Sequence, residues 1–135
     1  MLKKVHHINL LVKDLASAIL TYQQAFALDA IEYGELDGRG VKTARFKAGE
    51  TWIVLIEPTN PDGVPGRHLD EHGEGLFMLS FEVDNLNSAA AQIDTAVSGL
   101  ADTPQRTGLE GWQVLDLAPT TFHGAVLQLT EENDD

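Results

Sequence analysis

Two histidine pairs are the first residues in this chain able to do chemistry. His6 and His7 are adjacent, so in an extended strand their rings are expected on opposite faces, with His7 beside Asn9. Imidazole titrates near neutrality and can act as general acid, general base or metal ligand. His68 and His72 stand four apart, a spacing that puts two ligands on one side of a helix. Their segment is short, follows a proline-rich stretch and brings no clear third ligand, so a surface turn is expected. Trp52 shares a strand face with Val54 and Ile56. It could wall a flat or cationic ligand by cation–π contact, or simply pack in the core. Gly38-Arg39-Gly40 is too short for a phosphate loop and reads as a hairpin turn. Lys42 alternates to the face opposite Arg45 and Lys47, so that cluster reads as a solvated hairpin. The chain has no cysteine, hence no thiolate or disulfide chemistry, and no nucleophile-elbow or kinase signature.

Charge narrows the partners. Nine Lys and Arg against 21 Asp and Glu give a net charge of −12, a surface that repels a phosphate backbone and favours cationic or neutral small ligands over nucleic acid. The tail, residues 131–135, reads as a solvated acidic end. No apolar run approaches the ~20 residues of a membrane span. Met1-Leu2-Lys3-Lys4 leads into a strand rather than a signal-peptide core. A cytoplasmic location is therefore expected, with no membrane partner.

The elements that must position these residues come in two copies. Residues 5–12 alternate Ile8, Leu10 and Val12 against His7, Asn9 and Leu11, as a strand does. Asp14 then reads as the cap of a helix with its apolar stripe at Leu15, Ala18, Ile19, Tyr22 and Phe26. With an offset of 71 positions, Ile8 is answered by Leu79, Leu10 by Phe81, Val12 by Val83, Leu15 by Leu86, Ser17 by Ser88 and Ala18 by Ala89. Asn85 caps the second helix, whose stripe is Leu86, Ala89, Ala90, Ile93, Val97 and Leu100. Strand-like runs lie at 30–36, 41–48 and 51–57, and again near 101–107, 112–117 and 125–130. Residues 58–75, with Pro58, Pro61, Pro65, Gly63 and Gly66, read as a linker without regular structure. One domain over 1–135 is expected, built from a first repeat (1–57), the linker and a second repeat (76–130). Each repeat has one helix to cover one sheet face, so the other faces should meet. An α+β fold follows: two βαβββ units forming a cupped mixed sheet, helices outside, the cup lined by His7, Asn9, Met78 and Ser80.

The duplicated βαβββ pattern, His7-Ile8-x-Leu10-x-Val12-x-Asp14-Leu15 and Phe81-Glu82-Val83-Asp84-Asn85-Leu86 together resemble the vicinal oxygen chelate superfamily. That group includes glyoxalase I, methylmalonyl-CoA epimerase, extradiol dioxygenases and bleomycin-resistance proteins. Residues 52–58, 72–75 and 124–129 look most similar to the epimerase and glyoxalase branch. Family enzymes hold a divalent metal with four side chains. By position these fall on His7, Val54, Met78 and Gln128, of which only His7 and Gln128 keep a usual donor. Val54 has none, and a thioether is a poor ligand for Mg, Mn, Co or Zn. Neither remaining donor carries the charge that hard cations favour. Glu82 shares the Met78 face but lies ~13 Å along the strand, at ~3.4 Å per residue. Glu57 should point away from the Val54 face.

The resemblance therefore implies a protein that binds a small neutral or cationic ligand through His7, Asn9, Trp52, Val54, Met78, Ser80 and Gln128. No metal or other cofactor is expected. The alternative it implies is an isomerase or lyase like methylmalonyl-CoA epimerase or glyoxalase I, using Mn, Co, Ni, Zn or Fe to stabilise an enediolate. A metal-free enzyme would rest on His7 as general acid or base, the one catalytic candidate. A homodimer is expected, with the cup closed within one chain or across the pair.

Overall fold

The computed structural model describes residues 1–103 and 105–132; Asn133–Asp135 of the acidic tail, and Pro104 in the 101–107 run, lie outside the described residues. The strands are β1 (Leu2–Leu11), β2 (Glu32–Leu36), β3 (Val41–Ala48), β4 (Thr51–Pro58), β5 (Gly75–Val83), β6 (Arg106–Thr107), β7 (Gln113–Asp116) and β8 (Leu127–Glu131). The helices are α1 (Leu15–Phe26), α2 (Val64–His72) and α3 (Leu86–Val97). Among the described residues, no helix is long and apolar enough to cross a membrane.

The chain divides into two compact units, and the division falls inside β1. Residues 8–77 form a continuous unit. Residues 1–7 and the chain from Met78 onward form a composite one, so the first seven residues fold with the second repeat. In the continuous unit, β2, β3 and β4 make an antiparallel meander whose β2–β3 connection is the short 3-10 turn Asp37–Arg39. The Val12 N–H donates to the Ile56 carbonyl, placing the end of β1 beside β4. In the composite unit the strand order is β1-β5-β8-β7-β6, with β8 parallel to β5 and the β7 contacts antiparallel. The fold is α+β with a mixed sheet, as expected.

Each unit builds its core from the predicted stripes. In the continuous unit Val12, Leu15, Ala44 and Leu55 are buried against Ala18, Ile19 and Tyr22 of α1. In the composite unit Val83, Leu86, Ala89, Leu115, Leu117 and Leu129 pack with Phe81, Ile93 and Phe122. The helix entries are built twice in the same way. Asp14 accepts from the Ser17 N–H and Asn85 from the Ser88 N–H. The next orphan amide is met by a strand carboxylate: Leu15 N–H donates to Glu57 Oε1 (2.9 Å) and Leu86 N–H to Glu131 Oε1 (2.8 Å). A carboxylate here also faces the positive end of the helix dipole.

The expected linker holds a helix, α2, and this corrects the reading of 58–75 as irregular. Pro65 sits in its first turn, where its missing N–H costs nothing and its fixed φ suits a helix. Gly66 lies against the Asn60–Pro61 backbone, and a Cβ there would come within 2.3 Å of the Asn60 carbonyl oxygen. His68 and His72 therefore stand on a helix, not a turn, with ring centroids 4.4 Å apart and His68 4.6 Å from Phe77.

Both long helices end on a non-glycine residue in the left-handed region, Ala27 (φ 51°) and Ser98 (φ 52°). A Cβ in that conformation costs about 1 kcal/mol. Ala27→Gly and Ser98→Gly should each raise the free energy of unfolding by about 0.5–1 kcal/mol. Gly66→Ala should lower it by about 1–3 kcal/mol through overpacking. Urea denaturation of the three variants checks both signs.

Candidate functional site

The composite unit carries a polar layer on the sheet face turned away from α3. Phe81, Leu127, Leu129 and Leu115 face the helix core, so alternation sends their neighbours Ser80, Glu82, Gln128, Thr130, Val114 and Asp116 to the other side. The register sets Ser80 opposite Gln128 and Gln128 opposite Asp116, making one row across three strands. Most of this layer is buried: Ser80, Thr130, Gln128 and Glu82 are all under one-tenth exposed. Buried polar groups need partners, and most of these have them. Ser80 Oγ and Thr130 Oγ1 are 2.5 Å apart. Gln128 Nε2 donates to Asp116 Oδ1 (3.2 Å), and the Arg106 guanidinium holds both oxygens of Asp116 (2.5 and 3.2 Å). Gln128 Oε1 accepts no well-formed hydrogen bond among the described residues.

His6 and His7 join this layer together, which corrects the expectation that they part to opposite faces. Their Nδ1 atoms are 2.7 Å apart and both rings contact Trp112, His6 edge-on at 4.4 Å and His7 stacked at 5.4 Å. The physical reason is satisfaction: side by side, two buried imidazoles gain a mutual hydrogen bond and a shared aromatic wall. His6 Nε2 lies 2.5 Å from Glu132 Oε1. A carboxylate can only accept, so Nε2 carries the proton, and one further proton lies between the two Nδ1 atoms. Burial, then the neighbouring His6, push the His7 imidazole down from 6.5 to about 3, with the Gln128 carboxamide acting in the opposite direction. His7 is neutral at physiological pH.

The predicted residues are distributed as follows. His7, Met78, Ser80 and Gln128 belong to the composite unit, and Ser80 and Gln128 are register partners. Asn9, Trp52 and Val54 belong to the continuous unit. There Asn9 is buried with Oδ1 lacking a hydrogen bond among the described residues, and Val54 is 1% exposed. Trp52 has cations over its ring, Arg45 at 4.9 Å and Lys47 at 4.8 Å.

Sequence reasoning missed Thr130, Asp116, Arg106, Trp112's contact with both histidines, and the His6–Glu82–Glu132 group. The last three side chains each place one donor atom within 4.8 Å of the others. The pairing of β6 with β7 turns on a 3-10 turn, Leu109–Gly111, in which Glu110 takes φ 52°. No local signal announces that conformation for a glutamate.

A family model described as the glyoxalase/bleomycin resistance protein/dioxygenase superfamily matches residues 4–124. The chain is 24% identical over 134 residues to the uncharacterised protein YqjC of Bacillus subtilis strain 168, covering 99% of this chain and 96% of that one. It is 23% identical to a mitochondrial methylmalonyl-CoA epimerase of Mus musculus, over 96% of this chain and 74% of the relative. Among solved structures, a Streptomyces coelicolor methylmalonyl-CoA epimerase variant in complex with 2-nitronate-propionyl-CoA superposes with a TM-score of 0.90. The two are 26% identical, with 99% and 100% of the chains covered. An epimerase in complex with methylmalonyl-CoA and NH4+ matches at TM-score 0.89, with 27% identity over 98% and 96%.

The His7 environment has a measurable consequence. Below about pH 6.5 the unfolded chain binds a proton at His7 that the folded chain refuses until about pH 3. Stability is therefore fully present above 6.5 and falls as pH drops through that window, by a total on the order of 5 kcal/mol. In chelator-containing buffer, His7→Gln should flatten this part of the stability profile. An unchanged slope in the variant would show that other groups carry it.

Proposed function

The chain belongs to the glyoxalase/bleomycin resistance protein/dioxygenase superfamily, and on that premise we propose that it binds a small neutral or cationic organic ligand through the polar layer bearing His7, Ser80 and Gln128, without the family's four-ligand metal site. One observation carries this reading: the four family positions, His7, Val54, Met78 and Gln128, offer no carboxylate. The residues do not fit that metal. Val54 is a buried hydrocarbon, Met78 a buried thioether, and His7 Nδ1 is engaged with His6. Gln128 is held by Asp116 and Arg106, and its buried Oε1 is an acceptor without a well-formed hydrogen bond among the described residues. A ligand N–H or O–H would satisfy it, which suits a neutral or cationic molecule and an acidic protein. Asn9, Trp52, Val54, Met78, a homodimer and a cytoplasmic location remain parts of this proposal.

A second reading has its own support. The relatives fall in the epimerase branch that the motifs suggested, and two solved structures similar to this chain hold acyl-CoA ligands. Here the protein would be an isomerase or lyase that moves a proton beside a thioester carbonyl. Against it stand the missing carboxylate and the repulsion between a −12 chain and an anionic CoA ester.

Tryptophan fluorescence against a panel of neutral and cationic aromatic molecules tests the first reading. A saturable change is expected, and Gln128→Leu should weaken the affinity about tenfold, near the upper end for one hydrogen bond. Incubation with methylmalonyl-CoA in D2O, with and without added Co2+ or Mn2+, tests the second. Deuterium uptake at the α-carbon at enzymatic rates would replace the binding-protein reading with the isomerase one.

A further inference from the structure

We propose that His6, Glu82 and Glu132 form a site for a divalent first-row transition-metal cation, separate from the family ligand positions and independent of the function argued above. The three donor atoms already lie within 4.8 Å of one another. His6 is 1% exposed and Glu82 6%, whereas the Glu132 side chain is one-third exposed and gives an entry. Two carboxylates supply the negative charge that His7, Val54, Met78 and Gln128 lack.

Three further observations point to a cation. Glu82 is more than nine-tenths buried, yet its Oε1 accepts no hydrogen bond among the described residues. Its neighbours there are ammonium groups, Lys3 Nζ at 3.0 Å from Oε2 and Lys4 Nζ at 3.8 Å from Oε1. Both lysine side chains are partly exposed, and Lys3 also has Asp84 at 3.4 Å, so a cation entering here would displace these ion pairs. The His6–Glu132 contact is the second clue. The two donor atoms face each other at 2.5 Å, while donors at ~2.1 Å from one metal sit ~3 Å or more apart. A cation between them would take the His6 Nε2 lone pair and one carboxylate oxygen, and would open the pair by about half an ångström. Third, the other His6 nitrogen is hydrogen-bonded to His7 Nδ1, and Trp112 packs edge-on against the ring. A hydrogen bond at the ring nitrogen away from the metal orients metal-binding histidines and fixes their tautomer.

The mixed imidazole and carboxylate set suits Zn2+, Mn2+, Fe2+ or Co2+ better than Mg2+. Three protein donors leave coordination positions for water or a ligand oxygen.

The test uses the full chain after chelator treatment, titrated with Co2+ by visible absorbance and with Zn2+ by calorimetry, with circular dichroism to check folding. One equivalent should bind. Glu132→Gln and Glu82→Gln should weaken it at least about tenfold, while Met78→Leu and Gln128→Leu should leave it intact. Lys3→Met should tighten binding, a gain that a misfolded variant would not give. Absence of stoichiometric binding would overturn this site and leave the proposed function standing. Binding lost in Gln128→Leu but kept in Glu132→Gln would overturn both, because the cation would then use the family positions.

Discussion

Polar groups on the sheet face of the composite unit turned away from α3 are mostly buried, and the rest of that unit depends on giving most of them a partner. A buried donor or acceptor left alone costs about 1–3 kcal/mol, about twice the net gain from a typical satisfied one. Ser80 is therefore spent on Thr130, Gln128 on Asp116, Asp116 on Arg106, and His6 on both His7 and Glu132. The register of β5, β7 and β8 makes the Ser80–Thr130 and Gln128–Asp116 pairs meet, so a slip of one residue would strand both. The same slip would turn Phe81, Leu115 and Leu129 away from α3. Polar satisfaction and core packing thus select one register together.

Duplication has preserved the scaffold and released the chemistry. Asp14 and Glu57 at the entry of α1 correspond to Asn85 and Glu131 at the entry of α3, down to the amide each one meets. Helix capping acts locally, so both repeats keep it whatever their inner faces do. Those faces have diverged: Val54 stands where the other repeat has Gln128, and Met78 where the first has His7. Each such exchange changes which donor atoms the sheet presents without disturbing the alternation that places them.

Much of the scaffold was legible because its signals are local. Strand alternation, the caps at Asp14 and Asn85, and the apolar stripes of α1 and α3 need only a few residues to be read. The helix α2 was not, because Pro65 and Gly66 look like breakers. Proline in a first turn is a helix starter, and Gly66 is there for its close approach to Asn60 and Pro61. The site was legible only in part. His7, Ser80 and Gln128 follow from repeat positions and parity. The Arg106–Asp116–Gln128 chain depends on strands brought together by a turn with an unexpected Glu110 conformation. The folding together of His6 and His7 defied parity because ring-to-ring hydrogen bonding outweighed the usual divergence of adjacent side chains.

Trp112 shows why aromatic position matters more here than aromatic count. Trp52 is bracketed by Arg45 and Lys47, so its quadrupole already faces cations of the chain itself. Trp112 instead lies against two imidazoles and is 7% exposed, walling them from water on one side. Low local dielectric strengthens every charge-assisted contact behind that wall and makes charging His7 costly. Neutral His7 and carboxylate-bound His6 are therefore not interchangeable, although adjacent: one is a hydrogen-bonding group in the polar layer, the other a donor beside two carboxylates. Two identical residues acquire different chemistry from the partner each meets beyond the shared hydrogen bond.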